Sequence, residues 1–478
     1  MNILAIDQGT SATKALVLGP GNEVLGSAEE PVHPRTTADG GVEQDPEELY
    51  RSVLGAGTAA LGQARAPVQA MALANQGETV LAWDRRSGRA LTPAIVWQDR
   101  RSADICRRLS ASASRLAAIT GLPLDPYFAA PKMTWLRENL TAEGVVTTTD
   151  TWLLARLGAG YVTDAATASR TLLLDLETAD WSAEACGLFG LDPGALPEVG
   201  DCAGAFGETT AFGPSLPVTG LAVDQQAALL AERCFAAGEA KCTYGTGAFL
   251  LATTGPAPVR STAGLSASVA WRLAGSATYC LDGQVYTAGA AVRWLAGLGL
   301  VSGAEGLDAA GGSVPDSGGA VFVPALAGLG APHWRPDARG AFLGLGLGVT
   351  RAHLARAVVE GIAASVALLA GSVAVDGAPV GRLRADGGLT RSRLLVQAQA
   401  DLLQVPVEVS KAHDATALGV AALARLGAGD RDDLAEAVGQ AEVEWVAEPA
   451  ITADQAAERL AAYDLAVRAV LAQGAPSR

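Results

Sequence analysis

The chain has few basic residues and almost no lysine. Its 478 residues include 35 lysines and arginines against 50 aspartates and glutamates, a formal net charge of −15. Only Lys14, Lys132, Lys241 and Lys411 are lysine, which we attribute to genome composition. Nucleic acids and anionic membranes are bound through basic faces, so this charge balance argues against both as partners.

Clustered cysteines and a leader segment are missing as well. The six cysteines are scattered, with no Cys-x-x-Cys pair and no histidine at ligand spacing, so a zinc site is not expected. Reduced, mostly buried thiols are typical of cytosolic proteins. No basic region precedes the first apolar run, and no apolar run of membrane-spanning length is free of charges and turn formers. We therefore expect a cytoplasmic protein without a membrane segment.

Two common phosphate-binding motifs are absent. None of the lysines follows a glycine, which excludes a Walker A loop. The glycine-rich run at 344–349 lacks the strand-turn-helix pattern of a dinucleotide fingerprint. Any nucleotide site is therefore expected to use another kind of phosphate cradle.

A strand-turn-strand pattern occurs twice in the chain. Residues 2–18 place Asp7 and a Gly-Thr turn between apolar runs, and residues 241–254 repeat this pattern around Thr246. Each predicts a β-hairpin, since glycine accepts backbone angles that other residues resist. A surface turn explains either copy alone. Two copies suggest two related halves, each offering backbone N–H groups and hydroxyls to a phosphate chain.

Length and alternation predict a two-domain α/β protein. A chain of 478 residues exceeds what one core usually sustains, so we expect domains at 1–230 and 231–478. A helix is predicted after Asp45, with Pro46 at its first position, and further helices at 129–139 and 453–473. Strands are predicted at 68–75, at 94–99 and in a run that ends at Asp224, and this alternation favours an α/β fold.

Short motifs in a specific order then carry a family resemblance from Asp7 to about Leu423. They include DQGTSATKA, NQGET, IVWQDRR, GLPLDPYF, PKMTWLREN, VTDAATASRTLL, GLAVDQQAAL, TYGTGAFLL, GLGAPHWRPDARGAFLGL, DGGLTRSRLLVQAQADLL and TALGVAAL. Their order and spacing resemble the FGGY family of carbohydrate kinases, in the actin-like ATPase superfamily, and within it the glycerol kinases. The resemblance implies two actin-like (ribonuclease H-like) ATPase domains with an interdomain active-site cleft. It also implies transfer of the γ-phosphoryl group of Mg-ATP to a primary hydroxyl of a small polyol or sugar.

The resemblance assigns the catalytic base and the acceptor pocket. Asp224 matches the general base, and an alcohol is a poor nucleophile until a positioned carboxylate shares its proton. The alternative for Asp224 is a helix N-cap. The substrate-binding positions are Gln76, Gly77, Glu78, Trp97, Tyr127, Asp224, Gln225 and Phe249.

Nucleotide and metal positions follow in the same way. Asp7 matches the residue that orients Mg²⁺, which keeps several waters and takes few carboxylates. Three positions depart from the family pattern: Lys14 stands where arginine is usual, Arg293 where glutamine is, and Ser392 where asparagine is. The ATP-binding positions are Thr10, Ser11, Lys14, Thr246, Gly247, Gly289, Arg293, Gly388 and Ser392.

The acceptor itself stays open. Glycerol kinases read Asn-Gln-Arg-Glu where this chain has Gly77, so the loss of a donor predicts a wider pocket unless another side chain, such as Arg100, fills the gap. Glycerol, erythritol or a pentitol, and a pentulose (xylulose or ribulose) are all compatible acceptors. The remote alternative is a nucleotide-switched actin-like binding protein, which would not need the aromatic wall. A homodimer is the assembly considered.

Overall fold

The computed structural model describes residues 1–412 and 414–473, which form two large mixed β-sheets with helices on their faces. The strands are β1 Ile3–Gln8, β2 Ala12–Leu18, β3 Val24–Pro31, β4 Arg35–Thr36, β5 Val42–Gln44, β6 Ala70–Asn75, β7 Val80–Trp83, β8 Ala94–Ile95, β9 Val145–Thr148, β10 Val162–Asp164, β11 Leu174–Asp175, β12 Asp180–Trp181, β13 Glu198–Gly200, β14 Glu208–Thr209, β15 Leu216–Val223, β16 Glu239–Tyr244, β17 Ala248–Gly255, β18 Ser266–Leu273, β19 Ser276–Val285, β20 Val321–Val323, β21 Ala341–Leu343, β22 Arg382–Asp386, β23 Val407–Ser410 and β24 Val443–Ala447. The helices are α1 Pro46–Ala64, α2 Ala103–Arg108, α3 Ala113–Thr120, α4 Ala129–Asn139, α5 Thr149–Arg156, α6 Ala165–Ser169, α7 Ala183–Leu188, α8 Asp224–Ala231, α9 Gly289–Gly297, α10 Ala304–Gly311, α11 Arg351–Val375, α12 Arg393–Leu403, α13 Ala415–Gly427, α14 Leu434–Val438 and α15 Ala453–Ala472.

The first sheet has the strand order β14-β15-β6-β1-β2-β3. Strands β1, β2 and β3 run antiparallel, which confirms the hairpin predicted at residues 2–18. Strands β6 and β15 run parallel to β1. The register pairs Asp7 with Lys14 across the hairpin.

The second sheet repeats this plan with the order β18-β19-β17-β16-β22-β23-β24. Strands β16 and β17 form the second predicted hairpin, and β19 continues it antiparallel. Strands β22 and β23 lie parallel to β16 on its other side. The two related α/β halves inferred from the paired hairpins are therefore confirmed.

Most of the predicted helices and one strand limit can be checked directly. The side chain of Asp45 accepts the N–H of Glu47 at 3.0 Å and caps α1, while α4 and α15 lie where the sequence predicts helices. The strand predicted at 94–99 was wrong beyond Ile95. The chain turns there because the carboxylate of Asp99 accepts backbone N–H groups from residues 42 and 101, at 2.7 and 2.8 Å.

Helices cross between the two halves. Helix α13 lies late in the chain but packs on α8 and on strands β15, β6 and β1 of the first sheet. Helix α6, from the first half of the chain, packs on β18 of the second sheet. The packing of these two helices crosses the predicted domain boundary at residue 230. The domain limits 1–230 and 231–478 remain a prediction.

Helix α11 is the one described helix with the length and apolar composition to cross a membrane. About 61% of its apolar window is buried inside the protein. It packs against α10, α12 and β20, as the core helix of the second half.

Two helical glycines predict opposite effects on stability. A Cβ atom on Gly419 in α13 would lie 1.9 Å from the carbonyl oxygen of Ala227 in α8, whereas a Cβ atom on Gly371 in α11 would meet nothing within 4 Å. We expect Gly419→Ala to lower the free energy of unfolding by about 1–3 kcal/mol or more. Gly371→Ala should raise it by about 0.5–1 kcal/mol. Urea denaturation measures both, and an unchanged Gly419→Ala protein would contradict the close contact of α13 with α8.

Candidate active site

The candidate site lies where the central parallel strands of both sheets end. Asp7 is the next-to-last residue of β1, Gln76 follows β6, and Asp224 follows β15. Asp386 ends β22, and the glycine turn at 245–247 follows β16. Carboxyl ends of parallel strands meet at one edge of a sheet, where open α/β sheets bind their ligands. The two edges face each other across a cleft.

One cavity of about 310 Å³ in this cleft brings together most of the predicted positions. They are Thr10, Ser11, Gln76, Gly77, Glu78, Trp97, Tyr127, Asp224, Gln225, Thr246, Gly247 and Phe249. Val223, Arg170, Asp282 and Gln284 also line it and were not singled out from the sequence. Arg170, Asp282 and Gln284 lie far in sequence from most of the predicted positions, so no local pattern points to them. Val223 adjoins Asp224, but its apolar side chain gave no sign of a role in the site.

Asp224 opens α8 but does not cap it. The N-cap is Val223, and the Asp224 carboxylate accepts the N–H of Gln225 at 2.7 Å. Burial raises the pKa of Asp224, and the ammonium group of Lys241 lowers it again. The Asp224 carboxylate therefore lines the cavity, where it can accept a proton, and it is not the N-cap of α8.

Lys241 is a fully buried cation that supports Gln225. Its Nζ donates to Oε1 of Gln225 at 2.7 Å and to Oγ1 of Thr243 at 2.8 Å. These contacts fix the amide so that its NH₂ group is the part left for an acceptor hydroxyl. A single lysine in the apolar strand before Tyr-Gly-Thr-Gly was the available sequence signal.

Three aromatic side chains form one wall of the cavity. The ring of Trp97 meets Tyr127 edge to face, with centroids 5.7 Å apart, and meets Phe249 with centroids 6.2 Å apart. Edge-to-face aromatic contacts are favourable beyond the area that they bury. The predicted aromatic positions therefore form one packed surface.

Buried Lys132 holds the segment that carries Tyr127. Its Nζ donates to the carbonyl oxygens of Pro126 at 3.0 Å, of Tyr127, and of Phe128 at 2.7 Å. Three acceptors match the three N–H donors of an ammonium group. Lys132 thereby fixes the aromatic wall from behind.

A hydrogen-bond chain joins this wall to the turn after β1. Trp97 Nε1 donates to Thr10 Oγ1 at 3.0 Å, and Thr10 Oγ1 donates to Gln76 Oε1 at 3.0 Å. Gln76 Nε2 in turn donates to Oε1 of Gln44 at 2.8 Å. The side chains of Thr10 and Gln76 are thus engaged within the protein and tie the turn after β1 to the aromatic wall.

Arg170 forms the charged floor of the cavity. Its Nε donates to Glu78 at 2.6 Å and its Nη1 donates to Asp282 in the second sheet. Burial raises the pKa of Glu78, and the charge of Arg170 opposes that rise. Arg100, the residue considered for the space beside Gly77, instead donates to Asp125 at 2.7 Å and is not part of the cavity lining.

Asp7 lies in a neighbouring cavity of about 240 Å³. One of its carboxylate oxygens is buried without a hydrogen-bond partner. Burial raises the pKa of Asp7 to about 8; the carboxylates of Asp224 and Asp414 add to the rise, and Lys14 opposes it. Lys14 itself forms an ion pair with Asp414. An unpartnered buried carboxylate oxygen is what a hard cation would satisfy.

The glycine turn after β16 packs tightly on the start of α9. A Cβ atom on Gly247 would lie 2.5 Å from the carbonyl oxygen of Val285, and one on Gly289 would lie 2.5 Å from that of Gly245. The N–H of Gly289 donates to the carbonyl of Gly245 at 3.0 Å. Only glycine fits both positions, so Thr246 and Gly247 present their backbone to the cavity.

Four other positions predicted to bind the nucleotide, Gly289, Arg293, Gly388 and Ser392, do not line the cavity of Asp224. Gly388 lines a third cavity, of about 430 Å³, and Gly387 lines both that cavity and the Asp7 cavity. Arg293 is exposed, and its Nη2 donates to Oγ1 of Thr246 at 3.4 Å. The hydroxyl of Ser392 caps α12 and donates to Asp308, so its hydrogen bonds are used within the protein. Gly289, Arg293 and Ser392 are not among the lining residues of these three cavities.

Comparisons with known proteins agree with this geometry. The family model described as the N-terminal domain of FGGY carbohydrate kinases matches residues 2–231, and that of the C-terminal domain matches residues 240–428. A glycerol kinase of Aromatoleum aromaticum is 42% identical over 97% of this chain and 98% of its own. One of Thermus brockianus is 46% identical over 89% of this chain and 90% of its own.

A solved structure shows the same architecture. The crystal structure of Plasmodium falciparum glycerol kinase with ADP has a TM-score of 0.91 and 31% identity, covering 98% of each chain. This similarity confirms the predicted actin-like, two-domain α/β fold class. By its sequence, its duplicated sheets and its cleft, the chain belongs to the FGGY family of carbohydrate kinases.

Proposed function

We propose that the chain transfers the γ-phosphoryl group of ATP to a primary hydroxyl of glycerol or a similarly small polyol. The observation that carries this proposal is the position of Asp224 in the aromatic-walled cavity, next to Gln225, which also lines the neighbouring cavity of Asp7 and Lys14. Similarity to glycerol kinases, one of them solved with ADP, supports the donor and the acceptor class.

The acceptor is held and activated by residues of the first cavity. Asp224 takes the proton of the attacking hydroxyl, a step that typically contributes roughly 10²–10⁴ in rate. The amide of Gln225, fixed by Lys241, donates to a neighbouring hydroxyl. Glu78 accepts from another hydroxyl, while Trp97 and its aromatic partners cover the carbon atoms and exclude water.

The phosphate chain is held from both halves. The unpartnered oxygen of Asp7 fits Mg²⁺, bound through water. When bound, Mg²⁺ neutralises charge on the phosphate oxygens. Ser11 and Lys14 contact the transferred group, and the backbone of Thr246 and Gly247 contacts the distal phosphates. For the adenine end we retain Gly289, Arg293, Gly388 and Ser392.

The proposal also covers the alternative acceptors, the location, the assembly and the domain limits. Erythritol, a pentitol, or xylulose or ribulose is the alternative acceptor, because position 77 lacks the arginine of glycerol kinases. A nucleotide-switched binding protein without an acceptor is disfavoured by the aromatic wall. We further propose a cytoplasmic location, a homodimer, and domains at 1–230 and 231–478.

The base assignment is tested with Asp224→Asn, which keeps the shape of the side chain but removes the proton acceptor. We expect kcat to fall by at least about 10², with unchanged ATP binding and melting temperature. ADP release is measured with glycerol, erythritol, the pentitols, xylulose and ribulose. If none of these acceptors stimulates ADP release by the wild type, the proposed function is refuted. If the variant keeps a kcat near that of the wild type, the assignment of Asp224 as the base is refuted.

The metal assignment is tested with Asp7→Asn. Turnover at limiting Mg²⁺ should fall far more than nucleotide binding in EDTA, because only turnover needs the carboxylate to hold the cation. The matched control is Asp150→Asn, which alters a buried aspartate bonded to Thr163. Equal losses of turnover and of metal-free binding would point to structural damage instead.

The role of Lys241 is tested by the pH profile of kcat. Activity should rise with pH as Asp224 loses its proton. Lys241 lowers the pKa of Asp224, so in the wild type this rise occurs at a lower pH than it would without the lysine. Lys241→Met should therefore move the acidic limb to higher pH. Lys411→Met, which alters an exposed lysine paired with Glu442, should leave the profile in place. An unmoved limb in Lys241→Met would contradict this electrostatic role.

A further inference from the structure

The structure shows which residue occupies the space beside position 77. A Cβ atom built on Gly77 would lie 2.9 Å from Cγ2 of Val223. Carbon atoms in good contact lie about 3.5–4.0 Å apart, so this approach is repulsive. The space directly beside Gly77 is therefore limited, because a methyl group of Val223 stands against the place of a first side-chain carbon.

Val223 has little freedom to move away. It is the last residue of β15, pairs with Asn75 in β6, and is only 2% exposed. A β-branched side chain in a strand is stiff about its first torsion. Asp224 follows directly, so a shift of the Val223 backbone would also displace the proposed base. Residues 77 and 223 are thus physically coupled.

We propose that Gly77 and Val223 form a single specificity element for the acceptor, an inference that rests on the proposed function. Val223 presents a methyl group beside the place where any side chain at position 77 would begin. A hydroxyl placed against this methyl group would lose its partner, whereas carbon-bound hydrogens fit there. Polar recognition falls to Glu78 and Gln225 on other sides of the cavity. The acceptor class is a small polyol or ketose that turns its carbon skeleton, not a hydroxyl, towards position 77.

The packing part of this inference is tested by a double-mutant cycle of Tm. Gly77→Ala should lower Tm, because its methyl group overlaps Val223, and Val223→Ala should lower Tm by leaving a cavity. In the double variant the new methyl group occupies the vacated space, so the loss of Tm should be clearly smaller than the sum of the single losses. Additive losses would overturn the coupling.

The specificity part is tested with glycerol and its two deoxy analogues, 1,2-propanediol and 1,3-propanediol. The wild type should use at least one analogue with kcat/KM within about tenfold of glycerol, because the missing hydroxyl has no partner at Val223. Gly77→Arg alone should lose at least about tenfold on every acceptor. Gly77→Arg with Val223→Ala should prefer glycerol over that analogue about ten- to hundredfold more strongly than the wild type, through the regained donor.

A matched control and two outcomes decide the matter. Val218→Ala makes the same truncation at a fully buried position of β15 that does not line the cavity, and it should lower Tm without changing the acceptor ratio. Rejection of both analogues by the wild type by more than about hundredfold would overturn the inference, as would full activity of Gly77→Arg alone. Failure of the proposed function would give a different result, because no polyol or ketose would then stimulate ADP release. The specificity role would fail with it, whereas the Tm cycle would still show the coupling of residues 77 and 223.

Discussion

The cleft is built around one compensated buried charge, the guanidinium of Arg170 between two carboxylates. Glu78 belongs to the first half of the chain and Asp282 to the second sheet. Arg170 therefore links the two halves at the floor of the cavity. Burial acts to lower the pKa of Arg170, but the two carboxylates raise it well above its usual value. Removing one partner of a buried pair leaves an uncompensated charge and typically costs 3–5 kcal/mol. Glu78 itself has a left-handed φ of +58°, and its carboxylate accepts the Nε–H of Arg170.

Three of the four lysines lie in the cleft or directly behind its wall. Lys14 pairs with Asp414 beside Asp7, Lys132 holds the backbone behind Tyr127, and Lys241 holds Gln225. Burial raises the pKa values of the carboxylates of Asp7, Asp224 and Asp282. Lys14 opposes the rise at Asp7, and Lys241 opposes it at Asp224 and Asp282. Asp7 thus has two further carboxylates, those of Asp224 and Asp414, and the ammonium group of Lys14 within electrostatic reach.

The interlocked halves explain how the site is kept in register. Helix α13 crosses from the second half of the chain to cover α8 and the strands β1, β6 and β15, at whose carboxyl ends Asp7, Gln76 and Asp224 lie. Gly419 allows α13 to approach the backbone of α8 closely, and Asp414 at the start of α13 holds Lys14. Packing of one helix thereby connects Asp224, the first hairpin and the cavity of Asp7.

The sequence by itself determined the local elements and the residue types of the site. Hairpins around Gly9 and Thr246, the capped helix after Asp45 and the strand before Asp224 follow from turn chemistry, capping and hydrophobic pattern, which act over a few residues. Ordered motifs also indicated the family. Tertiary structure alone decided how distant residues come together: the contact of Arg170 with Asp282, the packing of α13 on the first sheet, and the limit that Val223 sets on the space beside Gly77. These contacts join residues far apart in the chain, and no local pattern records which side chain will occupy a shared space.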